Sequence, residues 1–304
     1  MTKKISTLFL IALLFSCKNE TKSNGKLNIV TTTTMLTDLV TNIGGDAVNL
    51  QGLMGSGVDP HLYKASEGDV SKLVNADVIF YNGLHLEGKL VEVFEEMSSQ
   101  TKRSIALAEE LDKKKLIGSD YFASNYDPHV WFNISYFKQF AKKVAQVLSE
   151  EDPNNKATYT QNAEAYLKQL DKLQSDVQGV VTALPQEKRI LVTAHDAFNY
   201  FGEAYKFKVV GLQGLSTATE AGVQDVQKLS DFIIEYRIKA IFVESSVPKR
   251  TIEALQAAVK AKGHNVAIGG TLFSDALGNP GTPQGTYIGM YRYNIKTIIS
   301  ALSK

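Results

Sequence analysis

Four short stretches of this chain each set one metal-capable side chain in a turn after an expected strand. They are Val58-Asp59-Pro60-His61, Asp127-Pro128-His129-Val130-Trp131, Thr193-Ala194-His195-Asp196-Ala197-Phe198 and Phe273-Ser274-Asp275-Ala276-Leu277-Gly278. His61, His129, His195 and Asp275 together offer three imidazoles and one carboxylate, the nitrogen and oxygen donors that zinc and its first-row neighbours favour. They come from widely separated parts of the chain, so they hold a metal only if the fold brings them together.

Taken singly, each has a plainer alternative. Proline restricts the residue before it to extended geometry, so His61 and His129 sit in rigid turns, yet Asp-Pro-His also describes any surface turn. Two such triplets in a chain of five histidines are a stronger signal than one. His195 reads equally as a hydrogen-bonded histidine at a helix N-terminus, and Asp275 as the N-cap of the segment after it. His85 and His264 lack rigid settings facing a cleft and are expected to be structural or exposed.

The elements that must position these groups are legible in outline. Leu27 to Thr32 and Asp77 to Tyr81 read as strands, with helical patterns over Met35 to Ile43 and Val70 to Ala76. Later strands are expected at Arg189 to Thr193, Lys208 to Gly211, Ala240 to Val243 and Asn265 to Ile268, with helices at Val223 to Tyr236 and Thr251 to Lys262. This alternation predicts two parallel-sheet α/β lobes. In such sheets ligands bind beyond the carboxyl ends of the strands, where the His195 and Asp275 segments begin. Between the lobes, Tyr159, Ala163, Tyr166, Leu170, Leu173, Val177, Val180 and Leu184 alternate spacings of four and three. That is the seam of one long helix from Lys156 to Leu184, entered through Pro153 and ended by Pro185. A helix of this kind packs either on a coiled-coil partner or across two domains of its own chain. The expected division is 27–152 for the first lobe, 153–185 for the connecting helix and 186–304 for the second lobe, with the metal site in the cleft.

The N-terminus places the protein. A basic Met1 to Lys4 precedes an apolar run from Ile5 to Phe15, too short to span a bilayer, which needs about 20 residues. The run ends in Leu14-Phe15-Ser16-Cys17, and Cys17 is the only cysteine. That pattern is similar to a bacterial lipobox, so residues 1–16 are expected to be a lipoprotein signal peptide and 17–26 a flexible polar tether on an acylated Cys17. No cysteine then remains for disulfides or thiolate metal sites. The formal net charge is +1, with 44% hydrophobic and 21% charged residues, and no basic cluster beyond Lys113 to Lys115 offers an electrostatic footprint for nucleic acid.

The paired Asp-Pro-His triplets, His195-Asp196-Ala197-Phe198 with Tyr200-Phe201, and Ser274-Asp275-Ala276-Leu277-Gly278 resemble the zinc/manganese receptor lipoproteins of ABC importers. The match runs from Leu27 onward and includes Asn82-Gly83-Leu84 and Phe242-Val243-Glu244-Ser245-Ser246. The resemblance implies two α/β lobes on one rigid helix, with cargo metal held by His61, His129, His195 and Asp275. It also implies a membrane permease as partner and an extracytoplasmic, lipid-anchored monomer rather than an enzyme. Zn2+ is expected over Mn2+, because manganese specialists resemble this chain but carry glutamate where His195 stands. Against that, the histidine-rich loop of dedicated zinc receptors is missing from Leu86 to Asp127. Glu244 and Glu220 are candidates to accept hydrogen bonds from ligand N–H groups.

Two rival readings use the same residues. A membrane-anchored zinc hydrolase would take the three histidines as ligands and Asp275 or Glu244 as base, but no His-Glu-x-x-His or Gly-x-Ser-x-Gly motif is present. An adhesin would be expected to show repeats, a low-complexity stalk or a disulfide module, and the sequence shows none.

Overall fold

A computed structural model describes residues 25–94, 103–120 and 122–304 of the 304-residue chain. The expected signal peptide, Cys17 and all but the last two residues of the tether lie outside the described residues. Among the described residues, no helix is long and apolar enough to cross a membrane.

The first lobe is built on four parallel strands, β1 (Leu27–Thr31), β2 (Val48–Gly52), β3 (Val78–Tyr81) and β4 (Arg103–Ala106), in the order β2-β1-β3-β4. The central strands supply Ile29, Val30, Val78, Ile79 and Phe80 to apolar layers on both faces. Such continuous apolar runs mark a parallel sheet covered on both sides. Helices α1 (Thr34–Gly44), α2 (Glu67–Asn75) and α3 (Ile134–Glu151) complete this lobe. Helix α2 starts three residues earlier than the apolar pattern suggests, because Ser66 and Asp69 form a reciprocal capping box.

Helix α4 (Lys156–Thr182) connects to the second lobe and packs against α1 and α3 on one side and the C-terminal helix on the other. The cross-domain alternative is therefore the correct one for its apolar seam. One residue of that seam is corrected: Val180 is 43% exposed, while Val181 is fully buried. An alternating 4-3 pattern lags a straight helix by about 20° per heptad, so after three heptads the stripe has moved one residue along.

The second lobe pairs β5 (Ile190–Thr193) with β6 (Lys208–Gly211) and β7 (Ala240–Glu244) with β8 (Ala267–Leu272), all parallel, with β5 beside β7. Strand β8 begins two residues later than expected and runs to Leu272, which carries the chain directly to Asp275. Around it lie α5 (Asn199–Tyr205), α6 (Val223–Glu235), α7 (Arg250–Ala261) and α8 (Tyr287–Leu302).

Buried tyrosines join the lobes, each satisfying its hydroxyl on the backbone of the other side. Tyr287 donates to the Trp131 carbonyl (2.6 Å), Tyr291 to that of Phe132 (2.7 Å) and Tyr200 to that of Asp127 (3.0 Å). Tyr287 also stacks on Phe137, with ring centroids 3.8 Å apart. One apolar core runs continuously from Ile29 through Tyr166 and Leu170 of α4 to Tyr291. Segment 127–132 is thereby held between the two lobes, and His129 with it.

Candidate metal centre

Each of the four side chains sits in a connection beyond a strand or turn, where backbone is freed from the ladder. His61 follows β2, His129 precedes a short 3-10 turn at Val130–Phe132, His195 lies two residues past β5, and Asp275 three past β8. Both Asp-Pro-His triplets close the same local ring: Asp59 Oδ1 accepts the His61 backbone N–H and Asp127 Oδ1 that of His129, each at 2.9 Å. This is the turn that aspartate makes with the amide two residues on.

The fold brings all four together. One donor atom from each of His61, His129, His195 and Asp275 lies within 4.8 Å of every other, and all four residues are buried. Nε2 of His61 is 3.3 Å from Nε2 of His129, and Nε2 of His195 is 3.2 Å from Asp275 Oδ2. Ligands at about 2.0–2.1 Å from a tetrahedral zinc ion stand roughly 3.3–3.4 Å apart, so these separations suit such an ion. His195 Nε2 and Asp275 Oδ1 are buried without an aligned hydrogen-bond partner. Buried polar atoms are rarely left so, and a cation among them is the simplest group that would satisfy Nε2 and Oδ1.

Carboxylates behind two of the rings set their orientation. Asp127 Oδ1 is 2.7 Å from His129 Nδ1, and its other oxygen accepts from Asn199 Nδ2 (3.0 Å). Glu244, buried at the end of β7, accepts the His195 backbone N–H (2.8 Å) and places Oε2 2.6 Å from His195 Nδ1. A proton held on Nδ1 leaves the Nε2 lone pair facing the cluster. Gly211 allows this packing, since a Cβ there would stand 2.6 Å from the Asp196 nitrogen and 2.7 Å from the His195 carbonyl carbon.

Charge is distributed unevenly over the set. Burial, with the other histidines adding to it, pushes His61 down to about 3, so its ring is neutral at ordinary pH. Burial also works against a charged His195, but the carboxylates of Asp275 and Glu244 outweigh it and raise this ring well above its usual value. For Asp275 burial is again the largest influence, and the neighbouring rings, His195 first, overcome it and hold the carboxyl ionised. Without a cation these shifts favour a protonated His195 facing an ionised Asp275.

Glu220 is a correction. Its side chain is 75% exposed and pairs with Arg250 at 3.1 Å, on a loop whose acidic residue points to solvent. His85 is exposed, and His264 sits 3.4 Å from the Ile238 carbonyl, away from the cluster. Sequence reasoning missed Asp127 and Asp59 as partners of the histidines, although the signal was there: an aspartate two residues before each. It also missed Thr217 and Trp131, which cross between lobes to Asp59 Oδ2 (2.5 Å) and the Ser274 carbonyl (3.2 Å). Nothing in the local sequence marks either.

Residues 29–301 match the family described as ZnuA, zinc-uptake complex component A, periplasmic. The chain belongs to this family. Among its relatives, the zinc-binding protein TroA of Treponema pallidum is 48% identical over 282 residues, covering 93% of this chain and 91% of TroA. The manganese-binding lipoprotein MntA of Bacillus subtilis is 45% identical over 300 residues, covering 98% and 97%. The solved structure of periplasmic zinc-binding TroA superposes with a TM-score of 0.90 over 92% of this chain and 100% of that one. The two-lobed ZnuA-family fold is therefore shared along essentially the whole described chain.

Proposed function

We propose that this protein is an extracytoplasmic receptor that captures a first-row divalent cation, zinc before manganese, and delivers it to the permease of an ABC importer. The observation that carries this reading is the convergence of three imidazoles and one carboxylate, two from each lobe, in a buried cleft. Family membership and relatives named for zinc and for manganese support it. Three nitrogens and one oxygen favour zinc, which lies above manganese in the order of affinities at nitrogen-rich sites.

In this reading His61 and His129 offer Nε2 from the first lobe, while His195 and Asp275 meet them from the second. Asp127 and Glu244 keep two of the rings aimed, and Asp275 offsets the cargo's charge. Binding displaces the proton from His195. Handover requires the lobes to part, because every donor is protein-supplied and buried. We take 27–152 and 186–304 as the lobes and 153–185 as the connector, in a monomer anchored through an acylated Cys17. A hydrolase is not favoured: Asp275 is inside the donor set and Glu244 stands behind His195, which leaves neither facing an open position as a base.

Calorimetry on the metal-stripped protein tests the proposal, titrating Zn2+ and Mn2+ separately and then in competition, beside His195→Ala. One-to-one zinc binding that manganese does not displace, lost in the variant, is the expected result. Absence of binding by either ion would overturn the reading, and comparable affinities would overturn the zinc preference.

A further inference from the structure

The converging side chains are shut from water: His129 and His195 are 0% exposed, Asp275 1% and His61 4%. A cation arriving in its hydration shell needs a place to wait and a way through. Beside the cluster lies a polar groove of about 500 Å³, walled on the first-lobe side by Ser119 and Phe122 and on the other by Asp196, Gln213, Glu220 and Asp225. We propose that this groove is a staging site for a hydrated divalent cation, and that Phe122 is the gate between it and His61. The proposal rests on the receptor reading above and extends it to the route by which cargo reaches the cleft.

Three observations converge. Among the described residues the groove's lining contains three carboxylates and neither lysine nor arginine; Glu220 is offset by its pair with Arg250, and Asp196 and Asp225 leave a field that attracts cations. Gln213 is only 6% exposed, and its Nε2 donates to the Thr219 carbonyl at 3.1 Å, yet its Oε1 is buried with no partner. A buried amide oxygen left free is costly, and it suits the water shell of a hard cation or the cation itself. Phe122 belongs to the groove wall and also stands edge-on to His61, with centroids 6.4 Å apart and planes at 87°.

His61 is the least buried of the four, and among the described residues no carboxylate backs its ring as Asp127 and Glu244 back the other two. It is therefore the donor with most freedom to turn and the first that a cation passing Phe122 meets. The apolar ring at that point favours passage of a cation that has exchanged waters for His61, and it keeps bulk water out of the closed cleft.

The test uses Trp131, the only tryptophan, whose ring is 5.3 Å from that of His129. Its fluorescence reports capture when metal-stripped protein is mixed rapidly with Zn2+, and release when loaded protein is mixed with a chelator. Phe122→Ala should speed capture and release several-fold together, with affinity held within about threefold, the signature of a gate rather than a ligand. Phe122→Leu should restore slow exchange. Asp196→Asn combined with Gln213→Leu should slow capture about tenfold and flatten its dependence on salt, with thermal unfolding unchanged. Wild-type rates in both the alanine and the double variant would overturn the staging site while leaving the receptor reading intact. Failure of the unaltered protein to bind Zn2+ would instead overturn the receptor reading, and the staging site with it.

Discussion

Thr217 of the second lobe donates a 2.5 Å hydrogen bond to Asp59 Oδ2, while Oδ1 of the same carboxylate accepts the His61 backbone N–H at 2.9 Å. One side chain thus ties lobe closure to the position of a donor ring. Hydrogen bonds to charged groups contribute about 1.5–3 kcal/mol. Thr217→Val should therefore raise the rate of metal release by roughly 10- to 100-fold, with Thr217→Ser close to the original protein. Release into excess chelator measures this, and an unchanged rate in the valine variant would show that the contact does not hold the cleft shut.

Glu244 and Glu220 should behave as opposites. Glu244 holds both the backbone and Nδ1 of His195 from a buried position, so Glu244→Gln, which offers only one acceptor oxygen, should weaken zinc affinity about 10- to 100-fold. Glu220 lies on the surface with Arg250, and Glu220→Gln should leave equilibrium affinity unchanged. Competition against a chelating dye compares the two, and equal losses would contradict the assignment of Glu244 as the partner that orients His195.

The opposite shifts of His61 and His195 give the metal-free protein a stability maximum near the ordinary histidine value of about 6.5. His195 is raised above its unfolded value, so its charged form stabilises the fold fully below about 6.5, and this is lost as pH rises through the folded value. His61 is lowered to about 3, so the unfolded chain takes up a proton that the folded one refuses, and stability falls from about 6.5 toward 3. Thermal unfolding of stripped protein across pH should peak between these limbs. Adding zinc should remove the alkaline decline, because the cation replaces the His195 proton. Calorimetry in buffers of different ionisation enthalpy should show about one proton released per zinc near neutral pH. Release of none would mean that His195 is already neutral.

What the sequence reveals of this fold depends on how deeply each element is buried. The central strands β1 and β3 carry apolar side chains on both faces, and their runs stand out. The edge strands β2, Val-Asn-Leu-Gln-Gly, and β4, Arg-Ser-Ile-Ala, are half-exposed and carry polar residues, so no apolar run announced them. Helices α3, α5 and α8 are not among the expected elements, although in α3 Phe137, Phe140, Ala141, Val144 and Val147 follow the helical spacing that makes α4 legible. The donor residues were readable because their motifs are local, a few residues each, and Asp-Pro-His occurs twice among only five histidines. Thr217 was not, because its importance depends on a partner 158 positions away, and only the folded arrangement of the lobes supplies it.

The connecting helix offers the sharpest contrast between pattern and packing. Val180 and Val181 are chemically identical neighbours, and a 4-3 heptad count selects the wrong one. A helix wound into a coiled coil would keep Val180 in the seam, whereas a straight helix clamped between α1, α3 and α8 turns Val181 inward. Val181→Ala should cost about 2 kcal/mol in denaturant unfolding of the metal-free protein, from two buried methyl groups and the space they leave. Val180→Ala should lie within about 0.5 kcal/mol of the original, since an exposed valine contributes little and alanine favours the helix. Because α4 is shared by both lobes, the Val181 variant should also lower the cooperativity with which they unfold. The reverse order of costs would mean that the helix supercoils against a partner.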